Sequence, residues 1–208
     1  MGCQGLRDLI CTAASVHAGA GRPLVANSGR VPKMPVDESF PADPKIELSR
    51  CRLEDVEIGF ARAGPPEGEL IILLHGFPEY WGAWREYMIR LAQAGFLVVA
   101  PDQRGYGLSS KPAEVADYDL DRLAADVVGL VRHLGRSTFG LVGHDWGGSV
   151  AWWLASLQPA ALRRMVVINA PHPAVWREAM DGDWRQWVKS LYVRVMRLPR
   201  LPELMIRT

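Results

Sequence analysis

The sequence predicts an α/β protein whose mostly parallel sheet is flanked by helices on both faces. Three observations carry this. Apolar runs such as Leu70–Leu74 and residues 96–100 are continuous rather than alternating, the pattern of strands buried on both faces. Between them lie stretches with apolar residues at helical spacing. The two kinds follow one another in turn, which implies crossover connections and parallel strands.

The elements follow in order. Residues 1–44 are rich in Gly, Pro, Ala and Ser and lack sustained periodicity, so they read as a flexible leader. Met34 is a second possible start, which would leave the first 33 residues as an upstream extension. Residues 46–52 and 56–63 read as a strand pair, and Leu70–Leu74 as a buried strand. Trp84, Tyr87, Met88 and Leu91 mark one helical face. Residues 96–100 form the next strand; Leu120, Leu123, Val127, Leu130, Val131 and Leu134 mark the second helix. Residues 138–142 are a strand, Val150, Trp153, Leu154 and Leu157 stripe a third helix, and residues 165–168 are a further strand. No internal repeat is present.

Composition narrows the function classes. The 208 residues are 49% hydrophobic and 23% charged with a net charge of +1, which fits a globular chain and excludes disorder and a global nucleic-acid footprint. Cys3, Cys11 and Cys51 are odd in number and never spaced as CxxC, so neither a disulfide framework nor a thiolate metal site is expected, and a reducing, cytoplasmic setting fits. The histidines lack the spacing of a zinc site. The apolar runs are too short to span a bilayer. The stretch from Leu9 to Ala18 is interrupted by Thr12, Ser15 and His17, which disfavours a signal peptide. Residues 177–208 hold seven Arg or Lys against four Asp or Glu, which reads as a solvated helix face rather than a membrane-binding one.

The chemistry concentrates in Gly143-His144-Asp145-Trp146-Gly147-Gly148, a Gly-x-Asp-x-Gly between a strand and a helix. Such a turn strains its central residue and demands small neighbours, which Gly143, Gly147 and Gly148 supply. Its side chain projects at a helix N-terminus, where an anion is favoured. A serine there needs a base. Asp145, with a usual pKa of about 3.9, is already ionised and can attack an electrophilic carbon directly. An Asp that merely caps the helix would leave the same trace.

Directly after the Leu70–Leu74 strand comes His75-Gly76-Phe77-Pro78-Glu79. A loop in this position supplies one backbone N–H of an oxyanion hole, and the residue after the nucleophile supplies the other. Phe77 and Trp146 are the expected donors. His75 reads as a satisfied core histidine rather than a base.

Together HGFPE, the DQRGYGLSS of residues 102–110, GHDWGG and the NAPHP of residues 169–173 resemble the epoxide hydrolase branch of the α/β-hydrolase superfamily. The resemblance runs from about Ile46 to the C-terminus. It implies that Asp145 is the alkyl-accepting nucleophile and that Phe77 and Trp146 donate to the oxyanion. It also implies a helical lid after the sixth strand, whose first helix carries a tyrosine that protonates the leaving alkoxide. The stripe Val188, Leu191, Tyr192, Val195 and Met196 resembles that helix and puts Tyr192 in this role. The expected parts are therefore a leader over 1–44, the N-terminal part of the hydrolase core over 45–172 and the start of the lid over 173–208. The implied partners are a small apolar epoxide and water, with no metal or organic cofactor.

Two other readings compete. Haloalkane or haloacid dehalogenases share the Asp nucleophile, but several carry a halide-binding Asn where Phe77 stands, and those acting on fluoroacetate put Arg where Trp146 is. The second is a non-catalytic fragment. The family's relay acid and catalytic His follow the lid, and the chain ends at Thr208. His144 should point away from the nucleophile, and His172 stands at the lid entrance. The expectation is a chain truncated within the lid, inactive or limited to a single alkylation. Neither substrate identity nor oligomeric state is set by the sequence.

Overall fold

A computed structural model of the chain describes residues 45–182 and 184–191. The expected leader over 1–44 and Tyr192 lie outside the described residues. Two compact units divide the chain between Ala170 and Pro171.

The larger unit, over residues 45–170 as described, is built on six strands: β1 (Glu47–Arg52), β2 (Glu57–Ala63), β3 (Leu70–Leu74), β4 (Leu97–Pro101), β5 (Phe139–His144) and β6 (Leu162–Ile168). They stand in the order β1-β2-β4-β3-β5-β6. β1 and β2 pair antiparallel, as does β2 with β4, while β3, β4, β5 and β6 are parallel neighbours. Along a strand successive side chains face opposite ways. Leu70, Ile72 and Leu74 therefore enter one core, and Leu73 enters the other. Leu97 and Val99 split from Val98 and Ala100 in the same way. That is why the central strands read as unbroken apolar runs.

Three helices cover the two faces. The first, α1 (Arg85–Gln93), follows a 3₁₀ turn over Trp81–Trp84 and packs Met88 and Ala92 against Ala61, Leu73 and Val98. The expected stripe is corrected here. Trp84 sits in the 3₁₀ turn, and Tyr87 is 58% exposed, because the helix starts only at Arg85 and its inward face runs through Met88, Ile89 and Ala92. The Tyr87 ring instead lies edge-on to Trp84, 5.6 Å between centroids.

On the other face lie α2 (Leu120–His133) and α3 (Trp146–Leu157). Asp119 caps α2 by accepting the Arg122 N–H at 2.8 Å. Gly135, with φ of 69°, turns the chain out of its C-terminal end. Ala124, Val127, Leu130 and Val131 from α2 join Val150, Ala151 and Leu154 from α3 in the larger core. Leu157, expected in the buried stripe, closes the last turn of α3 and stays 52% exposed. β6 lies at the sheet edge, with Val166 and Ile168 exposed.

The described part of the second unit holds α4 (Pro173–Gly182) and α5 (Trp184–Lys189). Pro173 opens α4, where its missing N–H costs nothing. The His172 Nδ1 accepts the Ala174 N–H at 3.2 Å, which occupies one of the free donors of that first turn. No helix among the described residues is long and apolar enough to cross a membrane.

Candidate active site

The turn from β5 into α3 is built around Asp145, whose φ of 50° and ψ of −116° are rare for any residue with a side chain. Such a backbone costs on the order of 1–3 kcal/mol and persists only where its surroundings enforce it. Here they do. The Asp145 N–H donates to the Ile168 carbonyl at 3.1 Å, and its own carbonyl accepts the Ser149 N–H at 3.1 Å. The chain behind it has no room for side chains. A Cβ on Gly147 would run into the Leu74 carbonyl oxygen and lie 2.7 Å from that of His75. Gly143 abuts Gly147 and Gly148, and Gly148 abuts Ala170, equally closely.

The turn delivers the Asp145 carboxylate to the loop after β3. The Phe77 N–H donates to Asp145 Oδ2 at 3.1 Å. That approach depends on Gly76, because a Cβ there would lie 2.6 Å from Asp145 Cβ. Trp146 is the first residue of α3, so its N–H has no acceptor within the helix and is a second donor at the same end. The positive end of α3 faces the carboxylate as well. Phe77 and Trp146 are 40% and 51% exposed. The Phe77–Pro78 peptide is cis.

The loop is held from behind. Buried His75 bonds the Gly76 carbonyl through Nδ1 at 2.8 Å and the Gln103 N–H through Nε2 at 3.0 Å. Burial lowers its pKa below the usual imidazole value, against opposing contributions from Gly76, Asp102 and Glu79. Glu79 Oε2 accepts the Gly76 N–H at 2.9 Å and faces His144 Nδ1 at 3.1 Å. Burial alone raises the Glu79 pKa, but these two partners outweigh it and hold the carboxyl below its ordinary value. His144 Nε2 lies 3.4 Å from the Asn169 amide. His144 is thus engaged with Glu79 and Asn169, on the support side of the turn.

The loop after β4 crosses behind this group. Buried Asp102 accepts the Trp81 N–H through Oδ1 and the Leu108 N–H through Oδ2, both at 2.8 Å. Arg104 is buried and grips Asp126 with two bonds of 2.7 Å, reaching Asp55 and the Asp117 carbonyl as well. Asp126 raises the Arg104 pKa further above its ordinary range. Tyr106 stands edge-on to His75 with 4.9 Å between ring centroids. Its hydroxyl pKa is pushed up by burial and by the Asp145 charge.

The structure therefore brings together Asp145, Phe77, Trp146, His75, Gly76, Pro78, Gly143, His144, Gly147 and Gly148. Sequence reasoning left Glu79, Gln103, Tyr106 and Asn169 without roles. Glu79 had a local signal, since a carboxylate three residues after Gly76 can reach back to its N–H. Gln103 and Asn169 act through contacts distant in sequence. Among the described residues no group of three or more His, Cys, Asp or Glu side chains could hold a metal ion.

A strained carboxylate elbow between strand and helix, on a sheet of this order and facing the loop after β3, is the arrangement of the α/β-hydrolase fold. The sequence profile of the alpha/beta hydrolase fold matches residues 69–203, and the chain belongs to that family. Its relatives lie in the epoxide hydrolase branch. It is 37% identical over 202 residues to epoxide hydrolase 4 of Mus musculus, spanning 92% of this chain and 55% of that protein. It is 43% identical over 152 residues to the AB hydrolase superfamily protein YfhM of Bacillus subtilis, spanning 73% of this chain and 53% of that one. A solved epoxide hydrolase from hot-environment metagenomes superposes with a TM-score of 0.72 at 39% identity, over 78% of this chain and 55% of that one. A Bacillus megaterium epoxide hydrolase solved with an inhibitor gives 0.71 at 30% identity, over 76% and 54%. The chain spans about half the length of these relatives.

Proposed function

We propose that this chain carries the alkyl-accepting part of an epoxide hydrolase, with Asp145 as nucleophile. The observation that supports this is the carboxylate itself. It sits at a strained elbow with one oxygen, Oδ2, held by the Phe77 N–H. Its other oxygen attacks the less hindered epoxide carbon. A new C–O bond forms, the strained ring C–O bond breaks, and its electron pair goes to the departing alkoxide. Tyr192 supplies the proton to that alkoxide. The product is an ester between Asp145 and the alkyl group. Water then adds to the Asp145 Cγ through an oxyanion stabilised by the Phe77 and Trp146 N–H groups, and collapse releases a vicinal diol.

The second stage needs a base to activate water. His75 and His144 have both ring nitrogens engaged elsewhere, so neither is placed to be that base. Intact-mass spectrometry after exposure to styrene oxide should show addition of one epoxide mass, mapped by peptide sequencing to Asp145. Tyr192→Phe should slow that addition. Chloride release from a chloroalkane with no epoxide adduct would replace this reading with a dehalogenase. An adduct mapped to any other residue would remove Asp145 from its role.

A further inference from the structure

We propose that His75, held in one tautomer, is the positioning residue that aims and polarises the Phe77 N–H toward the Asp145 carboxylate. The inference rests on the nucleophile assignment above and assigns work to a histidine outside the bond-making steps. The tautomer follows from the partners. Nε2 receives the backbone N–H of Gln103 at 3.0 Å, and an amide N–H can only donate. Nε2 therefore carries the lone pair. Nδ1 then carries the hydrogen and donates it to the Gly76 carbonyl at 2.8 Å, which can only accept. A doubly protonated ring would set one N–H against another at Gln103. Complete burial favours the neutral form on independent grounds.

The Gly76 carbonyl and the Phe77 N–H are the two ends of one planar peptide group. That peptide is trans, so the two bonds point in opposite directions. Anchoring the carbonyl on His75 turns the N–H the other way, to where Asp145 Oδ2 lies at 3.1 Å. The Gly76 N–H is tied to Glu79 at the same time, so the residue cannot roll out of this orientation. A hydrogen bond at a carbonyl also polarises its peptide and strengthens the N–H as a donor. The chain runs from the Gln103 N–H through His75 and the Gly76–Phe77 peptide to Asp145. It is strongest when negative charge gathers on the Asp145 oxygen, as it does during ester hydrolysis. Gln103 reinforces the link by donating its side-chain amide to the His75 carbonyl at 2.7 Å.

The test uses the ¹⁵N-labelled 208-residue chain and two variants, His75→Phe and His75→Asn. Asparagine keeps an N–H donor about where Nδ1–H stands; phenylalanine keeps only the ring. In the wild type, imidazole nitrogen spectra should show His75 protonated on Nδ1 alone. In His75→Phe the Phe77 amide proton should move upfield and exchange about tenfold faster. The maximal rate of single-turnover alkylation should fall about tenfold at an unchanged half-saturating epoxide concentration, because a carboxylate whose Phe77 contact is no longer aimed spends less time in the attacking geometry. His75→Asn should restore both to within about threefold, which a purely space-filling role would not allow. A wild-type ring protonated on Nε2, or a folded His75→Phe chain with an unmoved Phe77 amide, overturns the proposal. If His75→Phe does not fold, the wild-type tautomer decides alone. The amide and tautomer readings need no epoxide. Their expected pattern in a chain that never alkylates would sustain the positioning role and sink the nucleophile assignment instead.

Discussion

The loop after β4 and the turn after β5 leave the same end of the sheet, the C-terminal end of its parallel strands, yet they are built from opposite materials. The β5 turn holds its shape by exclusion. Gly143, Gly147 and Gly148 leave no space for a side chain, and Asp145 is forced to a φ of 50°. The β4 loop holds its shape by charge and hydrogen bonds, with Asp102 gathering the Trp81 and Leu108 N–H groups and Arg104 tied to Asp126. The difference lies in what each carboxylate is free to do. Both oxygens of Asp102 are spent on backbone donors, whereas one oxygen of Asp145 faces a single described donor. Asp102 is a structural acid with each oxygen held by a backbone N–H, whereas the strained Asp145 keeps acceptor capacity to spare.

Replacing one charged residue in each region should break that comparison in opposite ways. Asp145→Asn should reduce the epoxide adduct to background in intact-mass spectra and leave urea unfolding nearly unchanged. Arg104→Ala should do the reverse. It leaves Asp126 without its two-bond partner, which costs about 3–5 kcal/mol when a buried pair is broken, read as a shifted urea midpoint. The folded fraction of that variant should alkylate at the wild-type rate. A large loss of intrinsic rate in Arg104→Ala would mean that the β4 loop participates directly in the chemistry.

Gly76→Ala gives a smaller effect that sharpens the contrast. The new Cβ would lie 2.6 Å from Asp145 Cβ, so the β3 loop or the elbow must shift by a few tenths of an ångström or more. Displacing a reacting group by about 1 Å costs roughly a hundredfold in rate. The single-turnover rate should fall by up to that factor, with unfolding changed far less. An unaffected rate would show that the Phe77 contact does not set the position of the nucleophile.

Much of this was legible in the sequence because strain leaves a compositional trace. Three glycines around an Asp between a strand and a helix can be read without a structure. The sheet was legible too, since β3 and β4 are buried on both faces and read as unbroken apolar runs. The support of the site was not. Asp102, Gln103, Arg104 and Tyr106 occur together in a loop that reads only as turn formers, and their partners at Trp81, His75 and Asp126 lie some twenty to thirty residues away. Asn169, at a φ of 54°, meets His144 only once β5 and β6 are paired. Tyr87 misled for a simpler reason, because a 3₁₀ turn precedes α1 and its register cannot be extrapolated backward from the helix.

The smallest effect concerns pH and separates the two kinds of support behind the site. His75 has a folded pKa below its usual 6.5, caused first by burial. As pH falls below that value the unfolded chain takes up a proton and the folded one does not. Stability is therefore complete above about pH 6.5 and declines below it until the folded pKa is passed. Glu79 also has a lowered folded pKa, from a usual 4.5, so its contribution is complete above that value and declines only below it. The two losses should appear as separate stages in thermal unfolding measured across acid pH. In His75→Asn the upper stage should vanish, because asparagine does not titrate. In Glu79→Gln the lower stage should shrink while the upper persists, because burial of the imidazole remains and Glu79 was only a minor, opposing influence on His75. An upper stage that survives His75→Asn would assign it to another histidine and remove the link between the buried ring and acid sensitivity.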